Sequence, residues 1–208
     1  METFLRADIF DRDDDMRGVA AKDGTTRARI ERAALKLFAR GGIDGVSIKD
    51  IAGACGLSDG AMYRHFESKE ALARTLFEAI HARLANVLAD TIKPNASLED
   101  TVQAVVAAYC ELAEDDPAQF AYHLTQRNTF LARSGDGGAD PSTLMARRVK
   151  LAMETGDIPT GDPELKTAMA LGIVSQAGEY RIYGRINALM TDHINTFTRA
   201  ILAVLRQA

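Results

Sequence analysis

Tryptophan is absent from the 208 residues, and only 6% of them are aromatic. That speaks against a carbohydrate-handling or base-stacking enzyme, whose sites rest on aromatic platforms. Cysteine is scarce too: Cys55 and Cys110 stand alone, on separate apolar helical faces. Neither a disulfide framework nor a metal site is built from so few ligands. Each cysteine reads as a reduced core residue, because a free thiol packs as a small hydrophobe. The four histidines, His65, His81, His123 and His193, form no H-x-x-x-H pair. There is no G-x-x-x-x-G-K-S/T phosphate loop and no G-x-S-x-G elbow. Asp115, Asp116 and Asp162 stand where helices begin, and read as helix starts rather than catalytic carboxylates. No run approaches 18 apolar residues, so no membrane span is expected. The opening METFLRADIFDRDDD lacks the apolar stretch of a secretory signal. Together these absences point to the cytoplasm, to no catalytic residue, and to no metal or cofactor.

The composition that remains is ordinary for a globular protein, 47% hydrophobic and 26% charged. Helix formers dominate, and no stretch keeps a period-two alternation. An all-α protein is expected, in one large domain or two small ones.

The most informative stretch is Ser47 to Leu72, SIKDIAGACGLSDGAMYRHFESKEAL. Ile48, Ile51, Ala52 and Cys55 recur at the one-face period of an amphipathic helix. Ser47 followed by Asp50 matches a capping signature, in which side chains satisfy the orphan N–H groups of the first turn. Gly56 suits the helix end, because glycine adopts the left-handed conformation without a steric penalty. Ser58 and Ser68 suit the caps of two further helices, Asp59 to His65 and one starting at Lys69. Two short helices around a glycine turn make a helix-turn-helix, whose second helix enters the DNA major groove. The first residues of that second helix are small. Its last, Tyr63, Arg64 and His65, carry donors for phosphate oxygens. The same pattern also fits a plain helical hairpin with a polar face.

Residues Ala28 to Leu72 resemble the N-terminal domain of TetR-type bacterial transcription regulators. The matching pieces are ARIERAALKLFARGGIDGVSIKDIA, GLSDGAMYRHF and SKEAL. The most specific is Tyr63-x-His65-Phe66-x-x-Lys69-Glu70-x-Leu72. The resemblance covers roughly 50 residues closely, and the rest only in architecture. It implies an N-terminal three-helix DNA-binding domain, a C-terminal helical effector-binding domain, and about nine helices in all. It implies a homodimer that binds a double-stranded operator, most often as a repressor released by a small molecule. Carried over, Tyr63, His65 and Lys69 would bind the DNA backbone, with Ser47 adding a phosphate contact. Asp59, Gly60, Ala61, Met62 and Arg64 would read bases. Arg27 and Arg29, at the start of the first helix, are further phosphate candidates.

The net charge of −4 looks wrong for such a partner until it is divided. Residues 1–24 carry 4 basic and 7 acidic side chains, residues 25–74 carry 9 and 6, and residues 75–208 carry 12 and 16. The helix-turn-helix lies in the only positive segment, which is the footprint that phosphate neutralisation requires.

Taken in order, residues 1–24 read as a disordered acidic extension and 25–72 as the DNA-binding domain. Residues 73–208 read as the effector-binding and dimerisation domain. In the first helix, Ile30, Ala33, Ala34, Leu37 and Phe38 form the expected buried stripe. A long helix from Lys69 to about Thr91 crosses the 72/73 boundary. Five more follow, near 97–114, 117–132, 141–154, 163–185 and 189–206. Tyr109, Phe120, Tyr122, His123, Gln126, Met145, Met169 and Gln176 offer the aromatic and polar mix of a small-molecule pocket. In the last two helices, Met169, Gly172, Ile173, Tyr180, Ile194, Phe197 and Ile201 are expected at a dimer interface. An intramolecular hairpin would show the same apolar stripe. Two alternatives stay open: a dimeric ligand-binding protein without specific DNA binding, and, less favoured, an all-α enzyme.

Overall fold

The computed structural model describes residues 25–93, 95–131 and 140–207. The acidic stretch 1–24 and most of the glycine-rich segment before Pro141 lie outside them. The described residues form nine α-helices and no strand. They are α1 (Thr26–Gly41), α2 (Ile48–Cys55), α3 (Asp59–Met62), α4 (Lys69–Thr91), α5 (Leu98–Asp115), α6 (Pro117–Phe130), α7 (Pro141–Glu154), α8 (Pro163–Ile182) and α9 (Ile194–Leu205). A 3-10 turn, Met190–His193, precedes α9. No described helix is long and apolar enough to cross a membrane.

Local sequence accounts for most of the helix ends. The Thr25 hydroxyl accepts from the Ala28 N–H and caps α1. Ser47 and Asp50 form the full reciprocal box at α2. Gly56 ends α2 at φ 65°, a left-handed conformation that a side chain would strain. Ser58 caps α3 and Ser68 accepts from the Ala71 N–H in the first turn of α4. Two expected boundaries shift. Regular α-helix in the recognition segment ends at Met62 rather than His65. The His65 N–H bonds the Met62 carbonyl three residues back, so the chain tightens into a turn. The last helix starts at Ile194, its opening turn being of the tighter 3-10 form.

Compactness divides the chain into two units. One holds the described residues up to Ile80, the segment from Asp115 that contains α6, and Ile182–Gly184. The expected division at 72/73 does not coincide with the division by compactness. It falls inside α4, and α6 groups with the DNA-binding helices. The physical reason is aromatic packing. Tyr122 of α6 is completely buried and its hydroxyl donates to the Ala73 carbonyl of α4 at 2.8 Å. Its ring stacks on Phe38 of α1, centroids 6.0 Å apart. Phe77 of α4 lies against His123 and Phe130 of α6, at 5.3 and 5.0 Å, and the Arg74 guanidinium covers Phe130. Around them Ile30, Leu35, Ile51, Met62, Leu72 and Leu76 are wholly buried. The α1 stripe differs in register from the expected one: Ala28 and Leu35 are buried, whereas Ala33 and Leu37 are only half-buried.

Removing the Tyr122 hydroxyl leaves the Ala73 carbonyl with its helical bond only. Tyr122→Phe is expected to cost about 1 kcal/mol. Tyr122→Ala, which opens a cavity between three helices, is expected to cost about 3–5 kcal/mol. Urea unfolding of both variants measures this; equal midpoints would show that α6 is not anchored there.

The second unit contains His81–Glu114, the helices from α7 through most of α8, and the chain from Arg185. Val106, Cys110, Val149, Ala152, Val174, Met190, Ile201, Leu202 and Leu205 form its core. Polar ties close it at each end. The buried Lys166 ammonium of α8 donates to the carbonyls of Leu205 and Gln207, at 3.0 and 2.5 Å. A cation there also suits the negative end of the α9 dipole. Glu114 of α5 accepts the Met190 N–H at 2.7 Å and lies 3.6 Å from Arg181. Arg148 of α7 donates to the Ala96 carbonyl before α5. The start of α8 therefore meets the end of α9. Cys110 is fully buried and burial, with Glu114 and Glu111 nearby, pushes its thiol up to about 12. Burial raises the Cys55 thiol as well, against the opposing pull of Arg29. Both behave as the inert packing groups that the sequence suggested.

Candidate nucleic-acid interface

The helix-turn-helix presents one polar face. Ser58, Asp59, Gly60, Tyr63 and Arg64 are exposed, and His65 and Lys69 are half-buried. Tyr63 stands out: a tyrosine with 58% of its surface in water has been given no packing role. The Lys69 ammonium donates to the Ile43 carbonyl at 2.7 Å, tying the first turn of α4 to the Gly41–Gly45 turn. An ammonium has three donors, so two remain for a ligand. Lys69 also stands in the first turn of α4, where backbone N–H groups favour an anion. Lys69 lies 4.0 Å from the exposed carboxylate of Glu70.

Ser47 is exposed at the start of α2, but its side chain is engaged. Its hydroxyl and its N–H both donate to Asp50 Oδ2, at 2.7 and 2.8 Å, and its oxygen accepts from the Asp50 N–H. These bonds, the hydroxyl's first, hold the Asp50 carboxyl below the ordinary carboxylate range. A phosphate arriving at Ser47 must compete with that carboxylate.

One sequence expectation is corrected by burial, and two exposed arginines are found already engaged. Met62 is 1% exposed, so its side chain belongs to the three-helix core and not to a surface that reads bases. One Arg29 terminal nitrogen is bonded to the Cys55 carbonyl at 2.5 Å, closing the end of α2, while Cys55 Sγ lies 3.5 Å from the Arg29 carbonyl. That arginine is a strut between α1 and α2. Arg27 is exposed, yet its guanidinium lies 4.6 Å over the Phe66 ring and 3.0 Å from Glu31. Sequence reading passed over three participants: Phe66 as a platform for Arg27, the Ile43 carbonyl as a seat for Lys69, and exposed Lys49 on α2. Only the charge of Lys49 was a local signal. The others join residues 26 or more positions apart.

Gly60 is open in a different sense. A Cβ built there meets nothing within 4 Å. Asp59, beside it, is the only carboxylate in α3.

The expected pocket residues are divided between the two compact units. Phe120, Tyr122, His123 and Gln126 lie on α6 in the first unit, where Tyr122, His123 and Phe120 are core. Tyr109 and Met145 are half-buried in the second unit. Met169 is 41% exposed, and the exposed Gln176 amide bonds Glu179 at 2.7 Å, so neither faces an interior cavity of its own unit. Among the interface candidates, Met169 and Gly172 are exposed, and Ile173, Tyr180, Ile194 and Phe197 are half-buried. The Arg185 guanidinium covers the Tyr180 ring at 4.1 Å, and His193 meets Phe197 edge-on. Ile201 is 6% exposed and is core of its own chain, not surface for another. Leu165, at 58%, is the most exposed large apolar residue of α8.

Residues 30–76 match the model of the bacterial regulatory proteins, tetR family. Over 46 residues the chain is 48% identical to the uncharacterized HTH-type transcriptional regulator YerO of Bacillus subtilis, a match covering 22% of this chain and 16% of that protein. Over 157 residues it is 26% identical to the HTH-type transcriptional regulator UidR of Escherichia coli, covering 69% of this chain and 73% of that one. Its fold is similar to that of a tetR-family regulatory protein from Rhodococcus RHA1, with a TM-score of 0.75 at 18% identity, covering 89% and 99% of the two chains. With the glycine-turn helix pair already in place, residues 30–76 match as a tetR-family DNA-binding domain, and the relatives and the fold support a TetR-type transcriptional regulator.

Proposed function

We propose that this protein is a cytoplasmic repressor that binds a near-palindromic operator as a homodimer and leaves it when a small molecule binds its C-terminal helices. The observation that carries the reading is the run of exposed Tyr63 and Arg64 and half-buried His65 and Lys69 beside the small residues of α3, within the positive segment of an acidic chain. Tyr63, His65 and Lys69 position the protein on phosphates, with Ser47 and Arg27 at the edges of the footprint. Asp59, Gly60, Ala61 and Arg64 face the base edges. The Asp59 carboxylate is repelled by phosphate and can accept from the exocyclic amine of cytosine. Two α3 elements entering successive major grooves set half-sites about 34–36 Å apart, or a variant fixed by the dimer.

The dimer forms through α8, where Leu165, Met169 and Gly172 follow one another at spacings of four and three on an exposed apolar face. Effector response runs through α6. Because α6 packs on α1 and α4 through Tyr122, Phe77 and Phe130, an effector that favours a different α6 position also favours a different helix-turn-helix position. This is a shift between two populations, and the effector must bind one of them more tightly.

Specific binding is expected to be steeply salt-dependent. A protein contacting 6–10 phosphates loses about 10³–10⁵ in affinity between 50 and 200 mM salt through counterion release. Titration of a fluorescent operator, selected from a random pool, tests this. A flat salt response, or no selected sequence at all, would refute DNA binding by this surface.

A further inference from the structure

We infer that Asp59 fixes one base pair of each operator half-site as cytosine·guanine, and that it does so by exclusion: its carboxylate weakens binding to any DNA that presents no cytosine amine to α3. The inference rests on the DNA-binding reading above and names the base chemistry of that same surface.

Three observations point to it. The first is that Asp59 is unoccupied within the protein. Two carboxylates lie in residues 48–62, the helix-turn-helix itself. Asp50 is held by the Ser47 hydroxyl and N–H. Asp59 is exposed, and among the described residues its side chain makes no hydrogen bond and no ion pair. Nor does it cap its helix: that is done by Ser58, whose hydroxyl accepts from the Ala61 N–H. The second is room. The next residue is Gly60, and a Cβ built there meets nothing within 4 Å, so the protein leaves space for a base edge beside the carboxylate. The third is sign. Tyr63, Arg64, His65 and Lys69 all carry donors for phosphate oxygens, whereas ionised Asp59 only accepts. A carboxylate inside such a footprint opposes binding at every sequence unless a donor on the DNA meets it.

In the major groove the donors are the exocyclic amines of cytosine and adenine; guanine and thymine present acceptors there. The two amines are not equivalent for a carboxylate. Adenine N6 lies beside the acceptor N7, which repels the second carboxylate oxygen. Cytosine N4 lies beside a C–H, which does not. Cytosine is therefore the one base that relieves the charge without opposing it elsewhere.

The test uses the full chain and two variants, Asp59→Ala and Asp59→Asn. Both are expected to melt with the unaltered protein, because the side chain they replace has no partner; loss of the fold in both would give Asp59 a structural role and overturn the inference. Each protein then selects its sequence from a random pool. The unaltered chain is expected to require cytosine at one position of the half-site. Asp59→Asn is expected to take adenine there, since an amide matches N6 and N7 together. Asp59→Ala is expected to take any base. In N4-methylcytosine the remaining N–H is used by guanine and the methyl group faces the groove. Placing it at that position is expected to weaken the unaltered chain about 5–150-fold, the loss of one base contact, and to leave Asp59→Ala unchanged. On a 30-base-pair duplex of A·T pairs alone, Asp59→Ala is expected to bind about fivefold more tightly than the unaltered chain at 50 mM salt, the effect of one like-charge contact in water. The gap closes at 300 mM as screening shortens the reach of the charge. The same consensus from the unaltered chain and Asp59→Ala overturns the inference and leaves the DNA reading intact. Equal or weaker binding of the A·T duplex by Asp59→Ala at 50 mM removes the exclusion and overturns it as well. If no protein selects any sequence while all remain folded, the DNA reading itself falls and takes the inference with it.

Discussion

Leu165→Asp or Met169→Asp is expected to give a folded monomer whose operator affinity is lower by roughly 10²–10⁴-fold, the avidity lost when two half-sites are no longer bound by linked modules. Both residues are exposed in the single chain, at 58% and 41%. A carboxylate at either position stays in water in the monomer, so the fold loses little. In a dimer joined by α8, the same carboxylate is buried against an apolar partner without a counter-charge, at a cost of several kcal/mol. The control is Ile201→Asp. Ile201 is core of its own unit, and a charge there is expected to unfold that unit rather than separate two chains. Light scattering with thermal melting distinguishes the outcomes: monomers with an unchanged melt for α8, and loss of the folded state for Ile201. A Leu165→Asp protein that remains dimeric would place the interface on another surface.

Tyr63→Phe is expected to weaken binding to every DNA sequence by a similar factor, whereas Gly60→Ala changes which sequence is preferred. Tyr63 is exposed, so removing its hydroxyl costs the folded protein almost nothing and deletes one phosphate contact. Lys69→Ala acts in the same way on DNA, with an added stability loss of about 1 kcal/mol from the broken bond to the Ile43 carbonyl. Gly60 is the cleaner probe of reading. A methyl group there meets no protein atom within 4 Å, and alanine is the better helix former by up to about 1 kcal/mol. Any loss of binding by Gly60→Ala therefore arises on the DNA side, where about 1–3 kcal/mol is at stake per base pair. Selection from a random pool with each variant measures both effects. A changed consensus for Tyr63→Phe beside an unchanged one for Gly60→Ala would show the two roles to be reversed.

Helix class, the glycine turn and most helix ends were legible in the sequence because they are decided locally. Ser47 with Asp50, Gly56, Ser58 and Ser68 each act within four residues of their own backbone, where spacing alone states the bond. The resemblance carried by Tyr63-x-His65 was equally legible, since it lies in the order of residue types. What no local spacing states is which side of a helix meets which distant neighbour. Met62 looked like a reader of bases and is core, because α3 is one turn long and turns that side chain towards α1 and α2. Arg29 is also a strut, because the Cys55 carbonyl lies 26 residues away in sequence but 2.5 Å away in space. Tyr122 looked like pocket lining and instead pins α6 to Ala73, a contact spanning 49 residues. Ile201 looked like partner surface and is buried in its own chain for the same reason: an apolar stripe records that a face is buried, and only the packed chain decides whether its own helices or another molecule covers it.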